Sequence, residues 1–167
     1  MLVVGAGGLG SPCILYLAGA GVGRIGICDK DTVDRSNLHR QVIHREHAIG
    51  ERRLSSPAQL PLPERAAAAL TARSSPPPPS AGAHKAQSAA AACQALNSSV
   101  RAVAHTGGLD PGNAVELVSG YDAVIDCSDN APTRYLLNDA CVAAGRPLVS
   151  GAAIGRSAGP KGARRRC

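Results

Sequence analysis

The 167-residue sequence has three Tyr, no Phe and no Trp. Single-stranded nucleic acids are held largely by stacking bases on aromatic rings, so this scarcity argues against that class of partner. Much of the 44% hydrophobic content is Ala, which buries little area per residue, and a thin core is expected. None of the six cysteines pairs with another as C-x-x-C, the spacing of structural zinc sites. Several cysteines instead sit in apolar runs, where a reduced thiol acts as a small hydrophobe, and a cytoplasmic location is expected. No apolar run reaches the length of a membrane span. The longest weakly polar stretch, 14–22, is broken by Gly19 and Gly21. Leu2-Val3-Val4 is too short, and lacks the basic flank, for a secretory leader.

Positive charge is present but localised. The formal net charge is +6, yet Arg156, Lys161, Arg164, Arg165 and Arg166 fall in a stretch with no acidic residue. The remaining basic residues nearly balance the 12 acidic ones. The excess reads as an unstructured basic tail over 155–167 rather than a nucleic-acid-binding face. Neither a nucleic acid nor a membrane is expected as a partner.

The rest of the chain has a regular order. Residues 2–4 read as a short buried strand that runs into Gly5-Ala6-Gly7-Gly8-Leu9-Gly10. A helix follows over 9–20, then a strand over 24–28 that ends at Asp29. Residues 52–83 break character, with four consecutive alanines and the run Pro76-Pro77-Pro78-Pro79. Proline in series forbids helix and central strand, so 52–83 reads as a disordered insertion. Beyond it come a helix over 85–96, a strand over 101–105, a helix over 111–118, a strand over 122–126, a helix over 132–144 and a strand over 147–149. Strands alternating with helices predict an α/β, Rossmann-like parallel sheet with helices on both faces, in one domain over 1–154.

Gly5, Gly7 and Gly10 fit G-x-G-x-x-G between a strand and a helix, where glycine permits a tight turn and the helix start attracts phosphate. Asp29 follows at about the 20-residue distance at which a carboxylate reaches ribose hydroxyls. These features predict a nucleotide site without saying which nucleotide. Asn37, Arg40, Gln41 and Lys85 are phosphate-binding types, and Asp126 and Asp129 follow at a strand end. Cations with a magnesium-ready carboxylate suit a triphosphate better than a dinucleotide. Taken singly, Asp126 reads as a turn residue, Asp129 as either a helix cap or a magnesium ligand, and Cys127 as packing. His44 and His47 share a helical spacing, but two histidines without further ligands make a poor metal site.

Four motifs then resemble the ThiF/MoeB family of ubiquitin-activating-type enzymes: Gly5-Ala6-Gly7-Gly8-Leu9-Gly10, Asp29-Lys30-Asp31-Thr32-Val33, Ser36-Asn37-Leu38-His39-Arg40-Gln41 and Asp126-Cys127-Ser128-Asp129-Asn130. Within it the resemblance is to the branch that serves molybdenum-cofactor synthesis and tRNA thiolation. It implies ATP-dependent adenylation of the C-terminal glycine of a ubiquitin-fold sulfur carrier. It also implies cofactor-binding roles for Gly8, Asp29, Ser36, Asn37, Leu38, His39, Arg40, Lys85, Asp129 and Asn130. Among these, Arg40, Lys85 and Asp129 would be catalytic, with Asp129 on magnesium. The family implies a homodimer and a zinc site, but its C-x-x-C ligands are absent here. The chain also begins inside the first strand and departs from the family after 150–154, which reads as truncation at both ends. An inactive nucleotide-binding fragment is therefore the alternative, and an NAD-dependent oxidoreductase a third.

Overall fold

The computed structural model describes residues 1–49 and 82–152. Five strands, β1 (Leu2–Val4), β2 (Arg24–Cys28), β3 (Arg101–His105), β4 (Val124–Asp126) and β5 (Leu148–Ser150), form one parallel sheet. Their spatial order is β3-β2-β1-β4-β5. The helices are α1 (Gly10–Gly19), α2 (Lys85–Leu96), α3 (Ala114–Ser119) and α4 (Ala131–Ala144). The predicted α/β class is the class observed.

Side chains alternate across a strand, so the central strand β1 feeds two cores. Val3 joins Ile25 and Ile27 on the face covered by α1 and α2, through Ile14, Ala18, Ala86, Ala89 and Cys93. Leu2 and Val4 join Val124 on the face covered by α3 and α4, through Val118, Leu137 and Cys141. Each fully buried Leu, Ile or Val contributes about 1.5–3 kcal/mol of transfer free energy. The alanines of α2 add little area, but they let that helix lie close to the sheet.

Ends are set by local chemistry. Gly145, at φ +63°, stops α4 and returns its N–H to Val142. Asn97 stops α2, and its side chain donates to the Ala18 carbonyl at 3.0 Å, tying α2 to the end of α1. The helix expected over 111–118 starts later. Asp110 accepts the Gly112 and Asn113 N–H groups at 2.8 and 3.1 Å, so 110–113 forms a side-chain-held turn.

The proposed insertion boundary also needs correcting. Ala83 belongs to the fold: its N–H donates to the Ala48 carbonyl at 3.1 Å, and its carbonyl accepts from the Val33 N–H at 2.9 Å. Thr32 and His84 form an antiparallel bridge beside it. The chain therefore leaves at Ile49 and returns at Gly82 through adjacent positions, and loop length between them costs only logarithmically more entropy. Of the disorder expected over 52–83, residues 52–81 lie outside the described residues, as does the tail over 155–167. Among the described residues, no helix is long and apolar enough to cross a membrane.

Candidate functional site

The sheet order reverses between β1 and β4, the position at which ligands bind in open parallel sheets. The glycine loop sits there. Gly5 has φ +95°, and a Cβ on it would lie 2.7 Å from the Cys127 carbonyl oxygen. A Cβ on Gly10 would collide with the Gly5 carbonyl oxygen. These two glycines build the turn and press it against the end of β4. Gly7 and Gly8 differ. Their nearest neighbours would be the Gln41 amide nitrogen and the Arg40 Cγ, each 3.8 Å away, so protein packing does not require glycine there. The open face they leave fits a phosphate. The first turn of α1 has neither a side-chain cap nor an acidic residue. Ser11 gives its N–H to the Gly7 carbonyl and Pro12 has none, so an anion would be met by the N–H groups that precede Ser11.

Side chains fix this loop. Asp29, at the end of β2, accepts the Ala6 N–H at 2.8 Å and the Asp31 N–H at 2.9 Å, one on each oxygen. A carboxylate offers about four acceptor sites, so capacity remains for ribose hydroxyls. His44 is buried and spans the loop and α2: Nε2 lies 2.9 Å from the Ala6 carbonyl oxygen and Nδ1 lies 3.0 Å from Ser88 Oγ. Burial lowers its pKa, against the opposing pull of the Ala6 carbonyl. A neutral ring that donates from Nε2 and accepts at Nδ1 satisfies both contacts. His44 is thus engaged with the loop and not with a metal.

The segment Ser36 to Gln41 packs over the open face. Asp34 accepts from Ser36 Oγ at 2.6 Å and from its N–H at 2.7 Å, and these bonds hold the Asp34 carboxyl below its ordinary range. That cap starts the short turn Arg35–Asn37. Arg40 donates to Asn37 Oδ1 at 2.6 Å, to His39 Nε2 at 3.3 Å and to the Ser36 carbonyl at 3.4 Å. Asn37, Ser36 and His39 therefore aim one exposed guanidinium, while the half-buried Leu38 anchors the turn. Gln41 is buried, and its Oε1 has no hydrogen-bond partner. Leaving a buried polar atom unpaired costs about 1–3 kcal/mol, so an orphaned amide beside Gly7 fits a site that receives a polar ligand.

Lys85 begins α2 and is buried, with Nζ 2.9 Å from Asp31 Oδ2 and its N–H 2.8 Å from the Asp31 carbonyl. Asp31 was not singled out in the sequence, where it is one charge among several. Its pairing is visible only once the chain has folded back across 50–81.

At the far side of the loop, Asp126 is structural. Its oxygens accept from Ser128 Oγ at 2.6 Å, Ser150 Oγ at 2.7 Å and the Ser128 N–H at 2.9 Å, and Arg134 Nε lies 3.5 Å away. Burial pushes its pKa up, but these partners outweigh it and hold it below the ordinary range. Asn130 caps α4 by accepting the Thr133 N–H at 2.9 Å, which removes the cap reading from Asp129. The exposed Asp129 carboxylate makes no hydrogen bond or ion pair among the described residues. Those residues hold no group of three metal-ligating side chains. One carboxylate suits magnesium that is carried mainly by substrate phosphates. It does not fit a structural zinc. Burial, with Cys13 alongside, pushes the Cys127 thiol up to about 12, which keeps it from acting as a thiolate at neutral pH.

The ThiF family profile matches residues 1–60 and 77–160, leaving out 61–76. The adenylyltransferase and sulfurtransferase MOCS3 of Mus musculus is 48% identical over 154 residues, 92% of this chain. That of Arabidopsis thaliana is 42% identical over 155 residues, 93% of this chain. The chain spans 26% of the length of either relative. Among solved structures, the tRNA N6-threonylcarbamoyladenosine dehydratase TcdA of E. coli in complex with ATP is similar at a TM-score of 0.66 and 26% identity. That alignment covers 95% of this chain and 53% of the other. Its complex with AMP gives 0.68 at 25% identity.

Proposed function

The chain belongs to the ThiF family, and from that premise we propose that it is the ATP-binding domain of an adenylyltransferase that activates a ubiquitin-like sulfur carrier. The observation that carries the reading is convergence of four separate segments on the glycine loop. Asp29 holds Ala6, Arg40 overlies Gly8, Lys85 reaches the same corner through Asp31, and the end of β4 abuts Gly5. The ATP complex of the similar dehydratase and the names of the curated relatives support it.

In this reading ATP lies over Gly7 and Gly8, with the Gly8 backbone against its phosphates and the ribose on Asp29. Arg40, aimed by Asn37, and Lys85 offset the phosphate charge. Asp129 would hold magnesium, which would offset phosphate charge, and Asn130 would line the pocket. A carboxylate oxygen of the carrier's terminal glycine attacks the α-phosphorus. The bond from that phosphorus to the bridging oxygen breaks, pyrophosphate leaves with the electron pair, and an acyl-adenylate remains. The domain supplies positioning and charge stabilisation and needs no nucleophile of its own. The adenylate would serve molybdenum-cofactor synthesis and tRNA thiolation in the cytosol, with residues 1–154 as the domain, 52–81 as its insertion and a second copy of the chain as the partner in assembly.

ATP–pyrophosphate exchange tests the proposal. Labelled pyrophosphate is expected to enter ATP only when carrier and magnesium are both present. Binding of ATP without exchange would instead make this chain a nucleotide-binding fragment. Tighter binding of NAD than of ATP–magnesium would make it an oxidoreductase domain.

A further inference from the structure

Two successive peptide groups in the glycine loop are held by side chains from different elements. The 5–6 peptide is held through the Ala6 N–H by Asp29 at 2.8 Å. The 6–7 peptide is held through the Ala6 carbonyl by His44 at 2.9 Å. Ser11 Oγ also approaches that carbonyl, at 3.5 Å, the longest contact of the set. A trans peptide is planar, so its C=O and N–H point in opposite directions. Drawing the Ala6 carbonyl toward His44 therefore turns the Gly7 N–H away from His44. Gly7 N–H has no partner in the described structure, and Gly7 borders the open face beside Gln41. The residues on either side of that N–H are Ala and Gly, and glycine alone would let this peptide flip cheaply.

We propose that His44 is a positioning residue: by donating Nε2–H to the Ala6 carbonyl it fixes the 6–7 peptide and aims the Gly7 N–H at a nucleotide phosphate. Its other nitrogen accepts from Ser88, one turn along the helix that begins with Lys85. One imidazole thus links the loop N–H to the helix that delivers the cation. The nucleotide part of this inference rests on the function proposed above, and the orientation of the peptide does not.

The test uses the 167-residue chain, wild type, His44→Phe and His44→Gln. Glutamine can present an amide donor where Nε2 stands, and phenylalanine keeps the bulk without a donor. Calorimetry with ATP–magnesium is expected to show roughly tenfold weaker binding by His44→Phe, with His44→Gln within about threefold of wild type. Nitrogen NMR of the wild type should show the Nε2–H tautomer, and Gly7 amide exchange should quicken in His44→Phe and recover in His44→Gln. Equal weakening in both variants, unchanged binding in His44→Phe, or an Nδ1–H tautomer would each overturn the inference. Should the wild type bind no ATP, the proposed function fails, and the tautomer and Gly7 exchange in ligand-free protein still decide the role of His44.

Discussion

Lys85 Nζ lies 2.9 Å from Asp31 Oδ2, joining residues 54 positions apart across the glycine site. Asp31 is 59% exposed, so water screens its side of the pair, and the pair contributes little stability. Lys85→Met keeps the buried stem and removes the charge. Pyrophosphate exchange by this variant is expected to fall by about a hundredfold, with only a small drop in melting temperature. A loss of folding as large as the loss of exchange would show that the pair is structural.

The glycines divide by role. Gly5→Ala and Gly10→Ala each meet backbone oxygen, and Gly5 has a positive φ, so both are expected to lose about 2 kcal/mol or more of stability. Gly8→Ala meets nothing closer than 3.8 Å, and its melting temperature should stay near wild type while ATP affinity falls. Denaturant melts and calorimetry, run on all three, separate the two groups.

Asp129 and Asn130 are neighbours with separable consequences. Asn130→Ala removes the α4 cap and is expected to cost about 1 kcal/mol. Asp129→Ala removes an exposed carboxylate with no partner among the described residues, so stability should hold while magnesium-dependent nucleotide binding is lost. Titrating ATP with and without magnesium against each variant reads this out.

Acid is expected to destabilise the fold in two steps. His44 has a lowered pKa when folded, so below about 6.5 the unfolded chain takes up a proton that the folded one refuses. Stability then falls as pH drops from about 6.5 toward the folded value. His105, lowered by burial and Arg24, adds to the same window. Asp126 is also lowered, so its contribution is present above its unfolded value of 3.8 and is lost as pH falls through the folded one. Melts between pH 7.5 and 3 should show both limbs. His44→Gln should shrink the first, and Asp126→Asn the second.

The strands, the two long helices and the glycine loop were legible because each is local. Val3, Ile25 and Ile27 announce buried strands, and Gly5 and Gly10 are dictated by a turn that no other residue fits. The class of the downstream motifs was legible as well, since Asn37 and Arg40 sit three apart and bond each other directly. Pairings that cross the sheet were not. Nothing in the composition around Asp31 marks it as the partner of Lys85, and His44 read as one half of an unconvincing metal pair. Its true partners, Ala6 and Ser88, lie 38 and 44 positions away. The sequence left Asp129 open between a cap and a magnesium ligand because Asp and Asn are both good caps, and only the folded turn shows that Asn130 holds the cap of α4.

The central strand β1 pairs with Gly26 on one side and, from the same Leu2, with Val124 on the other. During synthesis the first partner arrives almost at once. The second must wait for roughly a hundred further residues, or about 5–20 s at ribosomal speeds. For that interval the nascent chain carries a glycine loop with one wall and a hydrophobic strand with an open edge. The glycine corner is thus made about a hundred residues before its second wall closes, and until then it leaves a strand edge open to pairing with other chains.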